Sequence, residues 1–102
     1  KITVEGGIDR MPMEKTEGTE FLWERAQVLG KSIGLELDDG MSGGASDGNL
    51  TNMFTPTLDG LGAVGDGAHA EHEHIRIDET MNRAALLTLL ILEPPLRLKV
   101  RA

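Results

Sequence analysis

Apolar residues along the chain fall into two helical stripes, separated by polar, glycine-rich stretches and a few short alternating runs. From Thr16, placed to cap a helix, Leu22, Ala26, Leu29 and Ile33 recur at a spacing of three to four, and Gly34 follows as a C-terminal stop. This spacing predicts an amphipathic helix. Near the other end "MNRAALLTLLILE" predicts a second helix, with Asp78 as its cap, Glu79 favourable at its positive end and Pro94-Pro95 as its terminator. Leu86, Leu87, Leu89, Leu90, Ile91 and Leu92 cover most of that helix's circumference, so one sheet face cannot bury them all.

The remaining runs read as strands and loops. Ile2 to Glu5 alternate as a strand does, before Gly6-Gly7 and "DRMP" break the pattern and mark a boundary near Pro12. "LELDD" predicts a short strand with Leu35 and Leu37 on one face. "TPTLDGLG" predicts another, with Pro56 where a missing N–H is tolerated. Between them lies a polar stretch from Gly40 to Gly48, where Ser46 or Asp47 is placed to cap a short helix through Met53. "AVGDGAHAEHE" has no helical period and reads as a loop, and "HIRI" returns to extended structure. Helices alternating with short strands predict an α/β layered architecture without internal repeats.

Composition narrows the function. A chain of 102 residues supports one domain-sized core at most. A net charge of -7 argues against a nucleic-acid partner, which needs a basic face. The absence of cysteine excludes disulfides, thiolate metal sites and a Cys nucleophile, but leaves the redox compartment open. "KITVEGG" lacks a signal-peptide pattern and the apolar run near residues 84–92 is too short to span a bilayer, so a soluble protein with no membrane partner is expected. Lys1 opens directly onto "ITVE", as though the chain were cut from something longer.

Three motifs carry candidate chemistry. Gly44-Ala45-Ser46-Asp47-Gly48 fits the Gly-x-Ser-x-Gly nucleophile elbow, and Asp59 and His69 follow in the order such hydrolases use. An elbow, however, needs a strand running straight into the serine, and the polar "DDGMSGG" intervenes. A glycine-rich turn with a helix-capping serine is the competing reading. Gly60-Leu61-Gly62-Ala63-Val64-Gly65 matches a dinucleotide fingerprint, yet that fingerprint must open a helix, and "DGAHAEHE" does not read as one. Finally, His69, His72 and His74 interleave with Glu71 and Glu73, both residue types being zinc ligands. In extended structure His72 and His74 would share one face, with His69 on the carboxylate side, which makes a closed three-His site awkward and a solvated mixed-charge loop the alternative.

Taken together, "VEGGIDRMPME", "GGASDGN" and "PTLDGLGAVGDGAHAEHE" resemble the C-terminal part of the catalytic domain in the co-catalytic zinc peptidase family, which includes glutamate carboxypeptidase, acetylornithine deacetylase and succinyl-diaminopimelate desuccinylase. The Asp-Gly-Leu-Gly and Gly-Ala-His forms look most like the glutamate carboxypeptidase branch. The resemblance implies that residues 1–12 end a strand of the lid or dimerisation domain and return from it, and that residues 13–102 form the C-terminal part of the α/β catalytic domain, with its mixed sheet. It implies a two-zinc hydrolase of amide bonds beside a free carboxylate, acting on small peptides or N-acyl amino acids. His69 then stands as a zinc ligand, Gly44, Ser46 and Asn49 as substrate-binding positions, the last three helped by the positive end of the short helix, and Glu73 as an orienting carboxylate. His72 stands where an Asp is common, His74 where an aromatic is common, and Met11 where a Pro is expected. No catalytic residue falls within this stretch, because the general base and the other ligands belong to the family's N-terminal half. The chain alone is thus expected to be inactive, to pair with the remainder of the catalytic domain, and to self-associate in isolation. A cytoplasmic location is expected, with the periplasm open for the parent. A non-enzymatic α/β module with a His/Glu metal-binding loop is the alternative from another class.

Overall fold

Residues 1–94 are described by a computed structural model. The first stripe forms α1, Glu17–Ser32, started by Thr16, whose hydroxyl accepts the Thr19 N–H at 3.1 Å, with Glu17 and Glu20 at the positive end. Gly34, at φ 79°, turns the chain out of the helix, and the Leu35 N–H returns to the Gly30 carbonyl at 2.8 Å. A short helix, α2, covers Asp47–Thr51. Next come β1, Gly65–Asp66, and β2, His74–Ile75, an antiparallel pair with Gly65 opposite Ile75 and Asp66 opposite His74. The last helix, α3, runs over Ile77–Leu92. Helices with a small sheet make this an α/β arrangement.

Several expected boundaries move. Asp78 does not cap α3. Arg76 occupies the cap position without a side-chain bond, since a guanidinium has no acceptor to offer the helix N–H groups, while its own N–H donates to the Val64 carbonyl at 2.7 Å, and Asp78 and Glu79 both fall in the first turn. Ile77 belongs to the helix, and of "HIRI" only His74 and Ile75 pair as a strand, with Arg76 extended but outside it. The "AVGDGAHAEHE" loop in turn contains β1. Ile2 to Glu5 form no strand: Ile2 and Val4 are 91% and 89% exposed, and among the described residues no partner offers them a ladder. An alternating segment becomes a strand only when a neighbour supplies hydrogen bonds. "LELDD" keeps the predicted alternation, Leu35 and Leu37 being half-buried while Glu36 and Asp38 are exposed, but without pairing. "TPTLDGLG" is irregular and works as packing material instead.

That packing is the core. Ala26 of α1 and Leu86 of α3 are each 1% exposed, and burying Leu86 contributes about 1.5–3 kcal/mol. Leu58 and Leu61 line a cavity of about 260 Å³ together with Leu22 of α1 and Leu90 of α3. Arg25 of α1 donates to Glu93 at 2.6 Å, tying the end of α3 to α1. Pro94 follows Glu93 as a stop, while Pro95 lies outside the described residues. As the leucine pattern implied, α3 keeps apolar residues outside the core: Ile91 and Leu92 are 72% and 75% exposed. The molecule is a slab 18 Å thick exposing 8740 Å², against about 5,600 Å² for a compact monomer of this mass.

Candidate functional site

Ser46 is where the elbow question is decided. Its backbone is extended at the start of α2, its hydroxyl accepts the Gly48 N–H at 3.0 Å, and its own N–H donates to Asn49 Oδ1 at 3.0 Å, a reciprocal capping box. The same hydroxyl donates to Asp59 Oδ2 at 2.6 Å. No strand runs into it among the described residues, and no hydrogen bond links His69 to Ser46 or Asp59 there. A nucleophilic serine gives its proton to a base that a third group orients. Here the serine leans on a carboxylate directly and spends its lone pair on a helix cap, the geometry of a structural turn.

The surrounding loop is held from several sides. Arg10 donates to the Ser46 carbonyl at 2.6 Å and reaches Asp47 at 3.4 Å. Asn49 donates to the Met11 carbonyl at 3.1 Å. Gly44 places its N–H on Ser42 Oγ at 3.2 Å. These bonds shape one wall of an open groove of about 820 Å³, lined by Arg10, Trp23, Gly44, Asn49, Asp59 and Leu86 among others. Gly44 and Asn49 thus face one cavity, and Ser46 braces its rim. Lys15 and Asp39, also on the groove, form an ion pair. The Lys15 hydrogen bond holds the Asp39 carboxyl below its ordinary range, and the same bond raises the Lys15 ammonium above its own.

His69 and Glu73 lie elsewhere, on the turn joining β1 to β2, and neither lines the groove. The segment is not extended, so the two-face arrangement of His and Glu does not arise. The Gly67 carbonyl accepts the Ala70 N–H at 2.8 Å, the Ala70 carbonyl accepts the Glu73 N–H at 3.1 Å, and the chain coils between them. Gly67 has φ 76°, and a Cβ there would lie 2.7 Å from the His72 ring. His69, exposed, is the one non-glycine residue at positive φ among those described, at 66°. Such backbone in a non-glycine residue is uncommon and gathers at functional turns. His74 Nδ1 sits 2.9 Å from the His72 carbonyl oxygen. The turn is fixed from below. Val64 donates to Thr80 Oγ1 at 3.1 Å while its carbonyl takes the Arg76 N–H, both from the start of α3.

The dinucleotide pattern dissolves on inspection: Gly60 and Gly62 sit in irregular chain, Gly65 in β1, and no helix opens there. As for a metal, the chain offers His69 as an accessible imidazole, but among the described residues no three His, Asp or Glu side chains converge. A catalytic zinc needs about three protein ligands, so these residues supply a donor and not a coordination set. Sequence reasoning missed Arg10 as the clamp on the Ser46 carbonyl and Asp59 as the partner of its hydroxyl. The first spans 36 positions and the second 13, and no periodicity connects them.

The sequence pattern of Peptidase family M20/M25/M40 matches residues 1–93. The chain belongs to this family. No curated protein and no solved structure matches it. Membership in Peptidase family M20/M25/M40 makes the lineage a metallopeptidase one, hydrolytic and generally metal-dependent, which agrees with a serine used as a cap. Among the described residues no helix is long and apolar enough to cross a membrane.

Proposed function

We propose that this chain contributes the C-terminal part of the catalytic domain to a zinc carboxypeptidase or amidohydrolase of the glutamate carboxypeptidase branch, one that cleaves an amide beside a free carboxylate in a small peptide or N-acyl amino acid. The match of the peptidase family over residues 1–93 carries this reading. His69 provides an imidazole to one of two zinc ions, from an exposed position at positive φ two residues after Gly67. Zinc, when bound, lowers the pKa of a water to near neutrality and so supplies hydroxide. Glu73, four residues on, orients neighbouring groups. Gly44, Ser46 and Asn49 serve the substrate's carboxylate or carbonyl oxygen, two of them from the groove wall and Ser46 by holding that wall in shape.

Residues 1–12 return from a lid domain in this reading, residues 13–102 belong to the catalytic domain, and the remaining ligands and the general base come from a partner segment, so the chain by itself is inactive. The cytoplasm is the proposed location. The test is hydrolysis of N-acyl amino acids and glutamate-containing dipeptides with added zinc, by this chain and by the enzyme that contains it. The containing enzyme should lose one metal and nearly all turnover in His69→Ala. In Ser46→Ala it should keep its zinc and lose catalytic efficiency, because the groove wall that carries Gly44 and Asn49 loses its brace. An acylated Ser46 in enzyme whose activity survives chelation would overturn the proposal.

A further inference from the structure

The chain holds four Asp-Gly dipeptides, at Asp39-Gly40, Asp47-Gly48, Asp59-Gly60 and Asp66-Gly67. In any such pair the glycine nitrogen can attack the aspartyl side chain, because no Cβ shields it. The amide nitrogen gives up its proton and bonds to Cγ, and the protonated carboxyl oxygen leaves with that proton as water. The product is a five-membered succinimide. Water then opens the ring at the main-chain carbonyl, freeing an α-carboxylate and routing the backbone through Cγ as isoaspartate. No oxidant or reductant is consumed. The folded chain does not treat the four alike.

Three are guarded. Asp39 is bound by the Lys15 ammonium, which keeps its carboxyl ionised and a poor electrophile. Asp47 is fixed in the first turn of α2, and the Gly48 N–H points to Ser46 Oγ. Asp59 holds its own Gly60 N–H at 2.8 Å, but its other oxygen is gripped by the Ser46 hydroxyl at 2.6 Å, so the carboxyl is held at both oxygens and cannot rotate toward the nitrogen. Asp66 differs. Its carboxyl takes the Gly67 N–H at 2.8 Å, which sets the nitrogen beside Cγ, and among the described residues no other donor hydrogen-bonds that carboxyl. Exposure and a positive φ do not set it apart, since Asp59 is exposed as well and Gly60 has φ 78° beside Gly67 at 76°; the second oxygen of the Asp66 carboxyl, free among the described residues, does.

We infer that Asp66-Gly67 is a self-modification site, at which the native chain converts to isoaspartate in preference to its three other Asp-Gly pairs. The product places an extra methylene in the backbone at the end of β1, and the pairing of Asp66 with His74 cannot hold its register around it. The inference does not depend on the peptidase reading. To test it, the chain is incubated at neutral pH either native or in urea and then digested. Isoaspartyl peptides are tagged by an isoaspartyl methyltransferase and located by electron-transfer fragmentation. Native protein should carry the tag in the peptide containing Asp66, while the urea-treated chain should carry it at all four pairs. Asp66→Glu, which would need a larger ring, should lose the hairpin tag and leave the other three positions unchanged. Native tagging at Asp39, Asp47 or Asp59 equal to that at Asp66 would overturn the inference. So would an untagged native Asp66 over an incubation that tags the unfolded chain.

Discussion

Ser46 shows how much one side chain can be asked to do. Its hydroxyl caps α2 and braces Asp59, so Ser46→Ala should lower stability by about 1 kcal/mol, the usual cost of losing a cap. Urea titration of the two chains measures this directly, and an unchanged midpoint would show that the capping box is not formed in solution. Gly18 makes the opposite demand. A Cβ there would stand 2.5 Å from Pro56 Cγ, and the proline ring has little room to yield. Although alanine favours helices, Gly18→Ala should destabilise by about 1–3 kcal/mol through overpacking, read in the same titration. A chain stabilised by that change would mean that α1 does not rest on Pro56.

Among the elements, the helices were legible and the strands were not. The stripe of Leu22, Ala26 and Leu29 and the caps Thr16 and Ser46 lie within a few positions of what they act on, so their sequence spacing is their geometry. Ile2 to Glu5, "LELDD" and "TPTLDGLG" have strand-like composition, yet a strand exists by its partner, and partners are not written into a local run. The candidate site divides in the same way. Ser46 and Asn49 could be found together because a capping box spans three residues, whereas the bonds from Arg10 and Asp59 come from distant segments. At this scale Leu86→Ala should cost about 2–5 kcal/mol, while Ile91→Ala, on an exposed face, should stay within about 0.5 kcal/mol of the parent chain. The Lys15–Asp39 pair adds a pH dependence. Asp39 has a lowered folded pKa, so its contribution is present above the ordinary carboxylate value and lost as pH falls through the lowered one. Lys15 has a raised one, so its contribution is present below the ordinary lysine value and lost as pH rises through the raised one. Asp39→Asn should therefore melt lower than the parent chain at neutral pH, with the gap closing in strong acid and in high salt.

For the molecule as a whole, the decisive fact is a slab with apolar residues on view. Ile2, Val4, Met41, Phe54, Ile91 and Leu92 are each at least 72% exposed, more apolar surface than a small monomer ordinarily leaves in water. Purified chain at micromolar concentration should bind a hydrophobic dye and scatter light as an assembly. A dye-silent monomer would mean that these faces close on one another in solution.

The double attachment of Val64 to the start of α3 turns this into a question of mechanics. Thr80 and Arg76 grip both backbone groups of Val64, so the first turn of α3 and the base of the β-hairpin move as one lever, with His69 at its far tip and the exposed leucines along its shaft. Whatever seats itself against that shaft sets the bearing of the tip. Deleting the latch with Thr80→Val should leave α3 intact while amide exchange at Ala70 and Glu73 quickens, uncoupling the imidazole from the surface that would otherwise steer it.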